Sequence, residues 1–109
     1  MKEKQILDML AALSQKTRLH IVRYLVRCGD KGAAAGEVGK HVDASSSRAS
    51  FHLSALEKAG VIVSERQSRN IIYRADVKNL GGLVSFILND CCGSHPDIMA
   101  CCASKNKCC

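Results

Sequence analysis

Aromatic side chains are scarce: two Tyr, two Phe and no Trp in 109 residues. A core must therefore be built from Leu, Ile, Val and Ala, the residues of small helical packing, and this inclines the fold toward helix. No apolar run approaches the roughly 18 residues that a membrane span requires. The opening Met1-Lys2-Glu3-Lys4-Gln5 is polar where a secretory leader would be apolar. The expectation is a cytoplasmic protein with no membrane partner. Catalytic signatures are missing as well: no cysteine has Arg six residues on, and there is no Cys-x-x-Cys pair, phosphate loop or nucleotide fingerprint. An enzyme is not expected.

What the chain does have is a hydrophobic fraction of 47%, enough for one core without help from disulfides or metal. A formal net charge of +6 favours a polyanionic partner, which raises nucleic acid as a candidate. Of the seven cysteines, Cys91, Cys92, Cys101, Cys102, Cys108 and Cys109 crowd into residues 91–109. In a reducing compartment such thiols read as ligands or reactive groups before they read as a disulfide framework. The division this suggests is a DNA-binding and dimerisation domain over residues 1–90 and a cysteine-rich sensing tail over 91–109.

Ile6, Leu7, Leu10 and Leu13 fall at helical steps over residues 3–13. Ser14 can cap a second helix, with Leu19, Val22 and Val26 on one side and Ile21 and Leu25 beside them. Cys28 to Gly32 makes a turn. Ala33–Val42 reads as a short third helix, weakened by Gly36 and Gly39. The turn Asp43-Ala44-Ser45-Ser46 ends in Ser46, which can cap a fourth helix that runs to about Ala59, with Ala49, Leu53 and Leu56 inward and Gly60 as its stop. Residues 61–66 and 70–74 form a β-hairpin with a basic tip. Asp76 can cap a last helix bearing Val77, Leu80, Leu83, Val84, Ile87 and Leu88. Beyond Asp90, Gly93 and Pro96 argue against further helix. The fold expected is thus mainly α with a β-hairpin: four helices, the hairpin and a fifth helix. The first and last helices carry more apolar surface than so small a domain needs. Ile6, Leu10, Leu80, Leu83, Val84 and Ile87 are accordingly the candidate interface of a homodimer.

Two helices joined by a short turn, the second opening on small polar residues, suit the major groove of double-stranded DNA. Arg48 can contact guanine through two hydrogen bonds, and Ser46, Ser47 and Ser50 can reach bases or phosphates. His52, four residues from Arg48, can touch phosphate or pack. Arg66, Arg69 and Arg74 on the hairpin suit contacts to the DNA backbone or minor groove.

Three stretches in order, Leu13 to Val22 with Thr17-Arg18-Leu19, Ser47 to Ile62 with Ser50-Phe51-His52-Leu53 and Ala59-Gly60-Val61, and Arg69 to Arg74 with Tyr73, resemble the ArsR/SmtB family of metal-responsive repressors. The resemblance covers residues from about 5 to 90. It implies a dimeric winged helix-turn-helix that occupies operator DNA and leaves it when a ligand binds. Two sites used in that family are absent here: Ala33 to Val38 contains no thiol where some members have Cys-Val-Cys, and Lys78 stands where others have the His of Asp-x-His. What remains is similar to members that sense arsenite through C-terminal cysteines.

Thiolates select soft, thiophilic centres. Trivalent arsenic takes three thiolates in a pyramid, so the expected inducer is As(III) as arsenite, with Sb(III) or methylarsenite as variants. Neighbouring cysteines in a regular helix diverge by roughly 100°. Cys91 and Cys92 can therefore share one centre only where the helix frays, which Gly93 permits, with Cys101 or Cys102 as third ligand. Cys108 and Cys109 read as dispensable, Cys28 as a small buried hydrophobe and His95 as a loop side chain. Zinc or cadmium as ligand, thiol oxidation and simple metal buffering are the rival readings of the tail.

Overall fold

The computed structural model describes residues 1–103. Its elements in chain order are α1 (Glu3–Leu13), α2 (Lys16–Cys28), a 3-10 turn (Gly29–Lys31), β1 (Ala33–Ala34), α3 (Ala35–Val42), α4 (Ser46–Lys58), β2 (Ile62–Gln67), β3 (Asn70–Ala75), α5 (Val77–Ser85), a π-helical segment (Phe86–Cys91) and α6 (Pro96–Ala103). The fold is a mainly helical winged helix-turn-helix. Among the described residues no helix is long and apolar enough to cross a membrane.

Local chemistry explains most helix starts. The Asp76 carboxylate accepts from the Asn79 backbone N–H at 3.0 Å, the cap expected for α5, whereas α4 is capped one residue earlier than expected, the Ser45 hydroxyl accepting from the Arg48 N–H at 3.2 Å. At α2 the cap is Gln15, whose side-chain oxygen accepts from the Arg18 N–H at 3.0 Å. Ser14, the residue expected there, instead donates its hydroxyl proton to the Ala11 carbonyl at 2.9 Å and closes α1.

The core joins Ile6, Met9 and Ala12 of α1 with Ile21, Val22 and Leu25 of α2. Val38, Leu53, Leu56, Val61, Ile62 and Leu83 complete it. Leu7, Leu10, Leu19 and Val26, which helical spacing placed on the apolar faces of α1 and α2, are exposed. α1 and α2 each carry apolar residues around more than one face, and contacts with their neighbours select which face goes in.

The sheet has order β1-β3-β2, all antiparallel. The hairpin β2–β3 closes on Gln67 opposite Asn70, with Ser68 in a left-handed conformation at φ 58°. The two-residue strand β1 was not expected, since Ala33 and Ala34 favour helix. It exists because Ala33 pairs with Tyr73 and Ala34 with Ile72. Gly32 allows that approach: a Cβ there would lie 2.5 Å from the Tyr73 carbonyl oxygen. Gly39 has a comparable role. It weakens α3 in isolation, but a Cβ would lie 2.8 Å from the Ala44 carbonyl, so glycine is what lets the turn into α4 close tightly.

Two further expectations are corrected. Of the proposed interface residues, Ile6 and Leu83 are only 2% and 5% exposed inside the single chain and belong to its core. Leu80 and Ile87 pack partly against that core, while Leu10 at 41% and Val84 at 54% face outward. And Pro96 does not keep the tail irregular: it opens α6 at the first helical position, where its missing N–H costs nothing.

Candidate nucleic-acid interface and thiol site

α4 presents its exposed side from a firm base. Ala49, Leu53 and Leu56 are fully buried beneath it, while Ser46, Ser47, Arg48 and Ser50 are exposed at its N-terminal half. The serines and the free N–H groups of the first turn offer donors to phosphate, aided by the positive end of the helix dipole. The turn before it is set by Asp43, left-handed at φ 56°.

His52 is a correction: it lies inward, 9% exposed, and cannot reach DNA from there. Arg18 of α2 donates from Nε to His52 Nδ1 at 3.1 Å, which leaves that ring nitrogen unprotonated. Burial first, then the charges of Arg18 and Arg48, lowers the His52 pKa below the ordinary imidazole value. Next to it Phe51 is 66% exposed. Its ring meets the His52 ring edge-on at 5.6 Å, and the Arg18 guanidinium stands 5.9 Å from its centroid. Neither Arg18 nor Phe51 was assigned a site role from the sequence. Their only signal was membership of the Thr-Arg-Leu and Ser-x-His-Leu stretches, which the fold brings together across 34 residues.

On the wing, Arg66 and Arg69 are exposed near the tip. Arg74 is committed within the protein: it pairs with Glu65 at 2.7 Å and donates to the Asp30 carbonyl at 2.6 Å. The hydrogen bond from Arg74 is also the main reason the Glu65 carboxyl sits below its usual pKa.

The cysteines occupy an irregular junction. Cys91 ends the π-helical segment, the Cys92 N–H donates to the Ile87 carbonyl at 2.9 Å, and that of Ser94 to Leu88 at 2.8 Å. Gly93 and Ser94, left-handed at φ 56° and 55°, then reverse the chain into α6. Partial burial, a hydrogen bond and charge interaction with Cys91, and the charge of Cys102 hold the Cys92 thiol above its usual pKa. Cys91, Cys92 and Cys102 are therefore electrostatic neighbours. Cys101, expected as a reduced thiol and possible ligand, is disulfide-bonded. Among the described residues no three His, Cys, Asp or Glu side chains already stand as a preformed metal site. Cys108 and Cys109 lie outside the described residues. His95 is exposed, its Nδ1 accepting from the Asp97 N–H at 3.2 Å. Cys28 is half-buried against the core beside Tyr24, which is consistent with a packing role.

A helix-turn-helix domain family matches residues 13–65, from the end of α1 into β2. The chain is 29% identical over 85 residues to the HTH-type transcriptional regulator YgaV of Escherichia coli K12, covering 75% of this chain and 86% of that protein. Its fold is similar to an ArsR-like transcriptional regulator from Rhodococcus sp. RHA1 (TM-score 0.72, 25% identity, 89% of each chain). It is also similar to the homodimeric winged helix-turn-helix DNA-binding domain of Mb0332 from Mycobacterium bovis (TM-score 0.64, 25% identity, 84% of this chain and 85% of that one). A third similar structure is described as a possible transcriptional regulator for arsenical resistance (TM-score 0.63, 28% identity, 73% of this chain and 80% of that one).

Proposed function

We propose that the chain is a winged-helix transcriptional regulator of the ArsR type, acting as a homodimeric repressor released from operator DNA when trivalent arsenic is captured by Cys91, Cys92 and Cys102. The observation that supports this reading is that Cys91 and, from α6, Cys102 both act on the Cys92 thiol at the end of the π-helical segment, although no three-thiol site is preformed among the described residues. Cys102 is taken as the third sulfur because it is the α6 cysteine whose charge acts on Cys92. A similar structure described as a possible regulator for arsenical resistance supports arsenic as the ligand. The homodimeric relative supports a dimer, for which exposed Leu7 and Leu10 of α1 and Val84 of α5 provide apolar contact surface.

Capture exchanges ligands without redox chemistry. Three As–S bonds replace the three As–O bonds of arsenite, and the three thiol protons leave with the hydroxyls as water. The reading helices respond because the cysteines continue directly from α5. Drawing three sulfurs onto one pyramidal centre reshapes the Phe86–Cys91 segment, whose Phe86 and Ile87 pack against the core beside Leu83. A coupling energy of about 3 kcal/mol through such a shift lowers operator affinity about 150-fold.

The test is operator release, followed by fluorescence anisotropy during titration with arsenite, methylarsenite, antimonite, zinc and cadmium, with peroxide as a parallel arm. Cys91→Ser, Cys92→Ser and Cys102→Ser should each stay on DNA at arsenite levels that free the parent. A Cys108/Cys109 double serine variant should release normally. Release of all three single variants at the parental arsenite level would remove these residues as the site. Thiol oxidation is the second reading, favoured by the disulfide at Cys101; release by peroxide with indifference to arsenite would establish it.

A further inference from the structure

We infer that Phe51 is a base-reading residue that packs against the 5-methyl group of thymine in the major groove, an inference that rests on the DNA-binding reading of α4. Phe51 is the most exposed aromatic ring that the fold leaves on this helix, at 66%. On the same face, at helical steps of three and four, stand Ser54 and Ser47, with Ser50 alongside, all exposed. On its own helix the ring stands among exposed serines. It therefore suits a small apolar target within a polar partner better than a protein groove.

The ring is also held in place without being covered. Arg18, anchored through Nε to His52, stands over its face, and the His52 ring meets it edge-on. Contacts of this kind restrict the ring before any partner arrives and so reduce the entropy lost on binding. The neighbours say what that partner is. The exposed serines and the α4 N-terminus attract phosphate, and on a helix lying in the major groove the apolar group within reach is the thymine methyl, which only thymine among the four bases presents there. Phe51 thus supplies discrimination that the serines cannot, since a hydroxyl accepts several bases while a ring selects a methyl.

The experiment begins by selecting preferred duplexes from a random library with the wild-type protein. The selected duplex is then remade with deoxyuridine replacing thymidine at single positions, which deletes one methyl and leaves every hydrogen-bonding group. Wild type should lose about fourfold in affinity for each methyl contacted, at one or two positions per half-site. Phe51→Ala should bind thymine and uracil duplexes alike while keeping the thermal midpoint of the parent. Phe51→Leu, which retains apolar surface, should keep part of the preference. Equal binding of both duplexes by wild type, or undiminished discrimination by Phe51→Ala, overturns the assignment and leaves the DNA-binding reading intact. Failure to select any preferred duplex overturns both.

Discussion

The two regions proposed to act together, the α4 face with its wing and the cysteine junction after α5, are built in opposite ways. α4 rests on three fully buried residues, is capped by Ser45, and is tied to β2 by the Ser64 hydroxyl donating to Glu57 at 2.6 Å and to α5 by Asn79 donating to the Gly60 carbonyl at 2.9 Å. The junction has no fully buried side chain beyond Leu83 among the described residues, and its backbone passes through a π-helical turn and two left-handed residues. A surface that reads bases must hold its side chains in advance of contact. A site that signals must have somewhere to move, and a segment with few buried contacts can be reshaped at modest cost.

The sharpest way to break this contrast is to remove the support of the reading helix. Leu53→Ala deletes a fully buried side chain and should lower unfolding free energy by about 2–5 kcal/mol in a urea titration. A loss under about 1 kcal/mol would mean that α4 is not held as its burial indicates. Next in size is Val84→Glu, on the exposed side of α5. It should give monomers in sedimentation and, by uncoupling the two reading heads, reduce operator affinity on the order of a hundredfold; a sedimenting dimer would move the interface elsewhere.

A smaller effect separates two arginines of the reading face. Arg48→Ala should cost about 1–3 kcal/mol on the preferred duplex and little on random DNA. Arg69→Ala, at the wing tip, should weaken all duplexes alike and flatten the dependence of affinity on salt by about one phosphate contact. Interchanged behaviour would reverse their roles.

The smallest expected effect concerns pH. His52 has a pKa lowered in the folded protein, by burial first and then by Arg18 and Arg48. Its neutral ring therefore stabilises the fold above the unfolded value of about 6.5, and that contribution is lost as pH falls from there through the depressed folded value. Between about pH 7.5 and 5 the thermal midpoint of wild type should fall further than that of His52→Gln. Equal falls would show that the Arg18–His52 hydrogen bond does not depend on a neutral imidazole.

What the sequence alone determined was what depends on near neighbours along the chain. Helical spacing, the serine-bearing turn before α4 and the Asp76 cap marked α4 and α5, Ala49, Leu53 and Leu56 were marked as the inward side of α4, and the β-rich runs around Ser68-Arg69 marked the wing. The crowding of six cysteines beyond residue 90 likewise marked the thiol region. Tertiary structure decided whatever depends on residues far apart. It paired Ala33-Ala34 with β3 against their helical preference, turned Ile6 inward and Leu10 outward, buried His52 beneath an arginine from another helix, and folded α6 so that Cys102 stands near Cys92. The reason is physical: caps and periodicity act within a turn or two of backbone, whereas the rotation of a helix and the pairing of a two-residue strand have near-equal local alternatives, and only packing against distant elements separates them.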